Sequence, residues 1–214
     1  MSANVVIVGA AGRMGLAITR CLLNETVQGL SLAGAVDHAG VPAQGQDVGL
    51  AAGVEPAGMN ITANLPAVGA DADVLVDFSI HAATAEHARL AATWGTALVI
   101  GTTGLSDEER GRVEAASASI PIVRAPNMSL GVNLLFSLAR QAAAALRGKG
   151  YDVEIIEKHH RLKKDAPSGT ALGLGHSVAE GMQLDLSKVS THGREGVSKD
   201  VRPADEIGFH AVRG

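Results

Sequence analysis

The sequence predicts an α/β protein, a doubly wound parallel sheet followed by a second, α+β domain. Short β-branched runs alternate with Ala/Leu-rich amphipathic stretches through the first half of the chain, and a cluster of glycines stands directly after the first apolar run. Aromatic residues make up only 2% of a chain that is 46% hydrophobic. The alternation is the pattern of βαβ units. A core poor in aromatic rings has to be filled by Val, Ile, Leu and Ala, which suits helices packed closely on a sheet covered on both faces. At 214 residues the chain has room for two modest domains.

Strands are expected at 5–8, 32–36, 74–78 and 97–100, each read as lacking internal charge as a strand covered on both faces should be, and a fifth follows at 120–124. Between them, helices are expected over 13–23, 82–94 and 107–117. The last has a clear start signal, because Ser106 and Glu109 have the spacing of a capping box, in which hydroxyl and carboxylate each satisfy a free backbone N–H. Residues 40–66, rich in Gly, Ala and Pro, read as a loose connection with one short strand around Ile61. A long Ala/Leu helix over 132–146 then leads to a strand at 152–157, and the rhythm change near Gly131 sets the domain boundary, 1–130 and 131–214. Beyond Gly181 the chain turns polar. A strand-like run at 206–213 ends at Gly214 with no partner strand to follow, so the second domain reads as incomplete there.

The formal charge of -4 and the lack of a Lys/Arg stripe argue against nucleic acid as a partner and for small molecules. One cysteine, Cys21, excludes an internal disulfide and fits a reducing cytoplasm; it is expected to be buried on the apolar side of the first helix. The apolar start lacks a basic lead and carries Arg13, and no long uncharged span follows, so neither a signal peptide nor a membrane helix is expected.

Gly9, Gly12 and Gly15 are spaced G-x-x-G-x-x-G between a buried strand and a helix, the place where a pyrophosphate meets free N–H groups and the helix dipole. The stretch Gly9, Ala10, Ala11, Gly12, Arg13, Met14 is therefore the candidate phosphate cradle of a Rossmann-type domain. The spacing is a variant of the common fingerprint, and a turn serving only tight packing is the bland reading. The next strand ends in Asp37, where a carboxylate accepts ribose hydroxyls, which favours NADH. His38 and Arg13 offer positive charge to a 2′-phosphate and keep NADPH open. Two further loops follow strand ends, Gly101-Thr102-Thr103-Gly104 and Ala125-Pro126-Asn127-Met128, with hydroxyl and amide groups for a ribose or carboxamide and a methionine for a flat ring.

A second cluster runs from Glu157 to Thr170, with two histidines and four cations between Lys158 and Lys164. Crowded like charges disfavour each other's protonated forms, which suits a proton donor; Lys158 and Lys164 read as solvated. Pro167 fixes the start of a helix that Ser168 caps, leaving the N–H groups of Gly169 and Thr170 for a carboxylate. Adjacent His159 and His160 lack a third ligand at tetrahedral-site spacing, so no metal is expected. The other histidines, His87 and His210 among them, read as structural or exposed. Cys21 sits far from the strand ends, which excludes a semialdehyde dehydrogenase needing a nucleophilic thiol.

The segment EKHHRLKKDAPSGTA, with GAAGRMG, GTTG and APNMSLGVN in the same order, resembles the dihydrodipicolinate reductase family of lysine and diaminopimelate biosynthesis along the whole chain. The resemblance implies an NAD(P)H-dependent reductase of a cyclic imine dicarboxylate, acting with loss of water, cytoplasmic and homotetrameric. It implies that Gly9 to Met14 hold the pyrophosphate, that Asp37 and His38 meet the adenosine ribose, and that Gly101 to Thr103 with Ala125 to Met128 line the nicotinamide side. His159 and Lys163 resemble the family's proton donors, and His160, Gly169 and Thr170 its substrate-carboxylate contacts. Asp37-His38 replaces the Glu-Arg of dual-specificity members, which tilts the expectation toward NADH. Members continue for several dozen residues past GFHAVRG, which matches the incomplete second domain. The alternative is a non-catalytic NAD(H)-binding module.

Overall fold

The computed structural model describes residues 2–198 and 200–214. They form two compact units, one reaching Ala125 and the other beginning at Pro126. The first runs β1 (Ala3–Val8), α1 (Arg13–Leu23), β2 (Leu30–Val36), α2 (Val48–Ala51), α3 (Leu65–Gly69), β3 (Val74–Asp77), α4 (His81–Trp94), β4 (Ala97–Ile100), α5 (Asp107–Ser117) and β5 (Ile122–Arg124). All its strands pair in parallel, in the order β2-β1-β3-β4-β5. The chain winds outward from β1 in both directions, so the order reverses between β1 and β3, where a crevice opens outside the strand ends.

Alternate residues of β1 enter opposite cores, as the two-residue period of a strand requires. Val6 and Val8 pack with Leu75, Leu98, Ala88, Ala91 and Val113 on one face. Val5 and Ile7 pack with Leu22, Val48 and Ile61 on the other. Ala88 and Ala91 are fully buried, so small α4 side chains let the helix lie close on the sheet. Both halves of the Ser106–Glu109 capping box are present at the start of α5.

Three expectations change. The 74–78 strand is not apolar throughout, since Asp77 ends β3 fully buried. Residues 40–66 are less loose than their composition implies: α2 lies there, and the Asp47 carboxylate accepts from the N–H groups of Gly49, Leu50, Ala57 and Met59. Those bonds, the Ala57 one foremost, hold its carboxyl below the usual range. Cys21 is exposed, because the face α1 buries runs through Gly15, Thr19 and Leu22 and the neighbouring position is turned about 100° away.

The second unit comprises α6 (Leu130–Leu146), β6 (Val153–His159), α7 (Gly169–Met182), α8 (Leu186–Val189), β7 (Ser190–His192) and β8 (Ile207–Arg213). Its sheet is parallel, ordered β6-β8-β7, so β8 is the central strand and both its partners precede it in the chain. α7 lies tightly on α6, where a Cβ at Gly181 would stand 2.3 Å from the Arg140 carbonyl oxygen. The division falls before the expected 130/131 boundary because the Asn133 amide donates to the carbonyls of Asn127 and Ser129, tying that loop to α6.

β6 extends two residues past the expected 157. The β6–β8 register pairs Glu157 with Ala211 and His159 with Arg213. Glu157, His159 and Arg213 therefore share the face that carries Ile155 and Phe209, while Glu154, Ile156 and His210 belong to the opposite face. On that opposite face Glu154 is gripped by Arg194, Arg202 and His210. The Arg194 hydrogen bond leads in pulling its carboxyl from 4.5 down to about 2, against burial. A carboxyl lowered on folding stabilises the fold fully above its unfolded value and loses that contribution as pH falls through the folded one. The unfolding free energies of the protein and of Glu154→Gln should therefore differ most above pH 4.5 and converge toward pH 2, as urea titrations at the two limits will measure.

Candidate active site

The nucleotide side is built on the carboxyl edge of the first sheet. β1 runs into Gly9, whose φ of +82° is the left-handed conformation and whose missing Cβ would stand 2.6 Å from the Phe78 carbonyl oxygen. A Cβ at Gly15 would stand 2.2 Å from the Gly9 carbonyl oxygen, so α1 starts as close to the strand as backbone allows. Gly12 is the N-cap of α1 and supplies no side-chain acceptor, so the first-turn N–H groups of Arg13, Met14 and Gly15 are left to a ligand. Ala10 is buried, Ala11 half-buried, and Arg13 and Met14 are exposed beside the turn.

Asp37 reaches back to this turn. One carboxylate oxygen accepts from Ala11 N–H at 2.8 Å and the other from His38 N–H at 2.8 Å. His38 Nδ1 accepts from Gly40 N–H. Gly9, Asp37, His38, Ser79, Ile80 and His87 line one cavity of about 190 Å³. Glycines that hold the backbone open, unused N–H groups and a flanking carboxylate together fit a dinucleotide. A larger groove of about 570 Å³ lies between α4 and α5, but its arginines Arg89 and Arg112 are already paired with Glu86 and Glu108.

Sequence reasoning missed Asp77. Its carboxylate accepts from Ser79 N–H at 2.8 Å, Ser79 Oγ at 2.6 Å, His87 Nδ1 at 2.9 Å and Thr102 Oγ1 at 3.2 Å. Burial pushes this carboxyl up, but the His87 and Ser79 hydrogen bonds outweigh it and hold it below its ordinary value. The loops after β3 and β4 are thus tied to one anion. Thr102 is buried with its hydroxyl turned to Asp77, so what faces outward from this loop is Thr103 and backbone. Gly101 is forced by packing, since a Cβ there would stand 2.0 Å from the Phe78 ring. An acid at the end of a buried strand was the available signal.

In the second unit the cation cluster is not an uncompensated crowd. Because β6 continues to His159, Glu157 and His159 point to the same side two residues apart, and the imidazole Nδ1 donates to Glu157 Oε2. Glu157 Oε1 accepts from Arg213 Nη2 at 2.8 Å and from Ser168 N–H at 3.2 Å. The Arg213 guanidinium does most to hold the Glu157 carboxyl below the usual range, with His159 and Ser168 adding to it against burial. Lys163 Nζ pairs with Asp165 Oδ1 at 2.9 Å, and the same Arg213 Nη2 donates to the Asp165 carbonyl at 2.7 Å. Two members of the expected crowd, His159 and Lys163, are therefore each paired with a carboxylate, Glu157 and Asp165. His160 is exposed and its Nδ1 accepts from Leu162 N–H.

Ser168 caps α7 by accepting from Ala171 N–H, so the N–H groups of Gly169 and Thr170 have no acceptor within the cap. Asn127 Nδ2 donates to Thr170 Oγ1 at 3.0 Å. The loop 125–128 is thus split between units: Ala125 N–H bonds to the Ile100 carbonyl, whereas Asn127 is fixed to α7 and α6. Pro126 and Met128 are exposed.

A parallel sheet with a glycine cradle, joined to a unit whose helix N-terminus lies among paired cations, defines a two-domain pyridine-nucleotide oxidoreductase. Models of the N-terminus and the C-terminus of dihydrodipicolinate reductase match residues 3–128 and 131–214. The chain belongs to the dihydrodipicolinate reductase family. It is 48% identical over 211 residues to the 4-hydroxy-tetrahydrodipicolinate reductase of Anaeromyxobacter sp. (strain Fw109-5), covering 99% of this chain and 76% of that protein. It is 50% identical to that of Parvibaculum lavamentivorans, covering 98% and 76%. A solved dipicolinate-bound dihydrodipicolinate reductase from Paenisporosarcina sp. TG-14 matches at a TM-score of 0.66 and 27% identity, covering 100% of this chain and 79% of that one.

Asp77→Ala removes the acceptor that Ser79, His87 and Thr102 share. Stranding those donors should cost about 3 kcal/mol of stability. With the two loops released, nucleotide should bind on the order of tenfold more weakly. Urea unfolding and a fluorescence titration with reduced nucleotide measure the two effects separately.

Proposed function

We propose that the chain is a 4-hydroxy-tetrahydrodipicolinate reductase that reduces the cyclic imine dicarboxylate to tetrahydrodipicolinate with loss of water, serving lysine and diaminopimelate synthesis. The observation that carries this reading is the grouping of His159, Lys163 and the capped N-terminus of α7 around the Glu157–Arg213–Asp165 supports, in a chain that the family models match in both halves. A planar dicarboxylate suits such a site. One carboxylate lies against the Gly169 and Thr170 N–H groups, with the Thr170 hydroxyl held by Asn127, and His160 takes part in binding it. His159 and Lys163 hold the proton that the product gains, each held in place by a carboxylate, Glu157 and Asp165.

In the first unit, Gly9 to Met14 cradle the pyrophosphate, Asp37 and His38 meet the adenosine ribose, and Gly101 to Thr103 with Ala125 to Met128 attend the nicotinamide end. Bound NADH or NADPH supplies the hydride. Asp37 favours NADH: two hydroxyls can bond to its carboxylate, whereas a 2′-phosphate would meet like charge. His38 gives partial compensation, and its Nδ1 is already engaged by Gly40. A cytoplasmic homotetramer belongs to the same reading, and the exposed Ile156 and Val212 on the outer face of the second sheet suit contact between copies. A non-catalytic NAD(H)-binding module is not favoured, since it would have no use for supported proton donors beside an anion site.

His159→Ala and Lys163→Ala should each lower kcat by on the order of 100-fold, with nucleotide affinity changed less than about twofold. Steady-state oxidation of reduced nucleotide with the cyclic substrate generated in situ, alongside equilibrium nucleotide binding, tests this; unchanged turnover in both variants removes the assignment. The same assay should give kcat/KM for NADH equal to or above that for NADPH. A marked NADPH preference would show that His38 and Arg13 outweigh Asp37.

A further inference from the structure

We infer that Glu157 is a positioning residue for the proposed proton donor: it holds the His159 ring by Nδ1 and so leaves Nε2 as the nitrogen that meets substrate. This rests on the reading of His159 given above. An ionised carboxylate has no hydrogen to give, so Nδ1 carries the proton in this bond and the ring orientation is fixed from behind. Among the described residues, no protein group bonds to Nε2. In the proton step Nε2–H is broken, the proton passes to the reduced ring, and the imidazole is left neutral with Nδ1–H still on Glu157 until solvent returns a proton to Nε2.

Glu157 can do this because it is itself held at its other oxygen. Arg213 from β8 and the Ser168 N–H at the head of α7 bond to Oε1, and the side chain is only 9% exposed. The charged and titratable groups around it are therefore His159 on its own strand, Arg213 on β8, and Asp165 with Lys163 on the loop that Arg213 also holds. Two anchors on separate segments, Arg213 and the Ser168 N–H, leave the carboxylate little freedom to swing, so the ring it supports is held within a narrow range of angles.

Glu157→Gln in the full chain keeps the shape and removes the charge. It should lower kcat about 10- to 100-fold with the KM for nucleotide changed less than about twofold. Added to His159→Ala, the same change should cause no further loss in kcat. Glu157→Asp, also the variant to use if the amide does not fold, keeps the charge one methylene farther away and should lose at least about threefold in kcat. Wild-type kcat in Glu157→Gln, a loss that adds in full to that of His159→Ala, or wild-type kcat in Glu157→Asp overturns the inference. Undiminished turnover in His159→Ala overturns the assignment of His159 and the inference with it, and is told apart by that single variant.

Discussion

Parallel strand pairing is the constraint from which the rest follows. Every pairing within the two sheets runs parallel. Parallel neighbours cannot be joined by a tight turn, so each strand end must run into a loop and usually a helix before the chain returns. The carboxyl ends then collect along one edge of each sheet, with unused N–H groups wherever a helix begins. Gly9, Asp37 and Gly101 stand at such ends in the first unit, and His159 and Arg213 in the second. Residues distant in sequence become neighbours without any of them having to leave its element.

The two edges use different chemistry. The first presents backbone: glycines open the surface, α1 supplies N–H groups, and the buried Asp77 works behind the surface as a fastener for two loops. The second presents charge, with cations spaced by Glu157 and Asp165. Uncompensated, four cations and two histidines in one strand end and loop would repel one another. His159 and Lys163, which are paired, gain fixed directions, because a carboxylate that bonds a cation also decides where that cation points.

What was legible in the sequence was whatever depends on local pattern. The glycine turn, the Ser106–Glu109 box and the Ser168 cap are satisfied within a few residues, and each forms as expected. The full roles of Asp77, Asp47 and Glu157 were not legible, because each carboxylate also draws partners from distant segments. Asp77 bonds ten residues on to His87 and twenty-five on to Thr102, and Asp47 gathers N–H groups up to twelve residues away. The role of Glu157 depends further on β6 running two residues longer than its alternation signals. That extension puts Glu157 and His159 on one face and Lys158 on the other, a distinction invisible while the strand is taken to end at Glu157.

Arg213 shows why this arrangement needs a guanidinium and not merely a positive charge. Its Nη2 bonds to Glu157 and to the Asp165 carbonyl, and its Nη1 to the Val212 carbonyl, so one planar group joins three separate segments. A lysine ammonium is a point charge on a flexible stem and would hold Glu157 without fixing the direction of the loop. The β6–β8 register sets His159 opposite Arg213, which brings the fork within reach of the carboxylate two residues earlier on β6. The support of His159 and the support of Lys163 thus hang on one side chain, and that side chain owes its position to the pairing of the central strand.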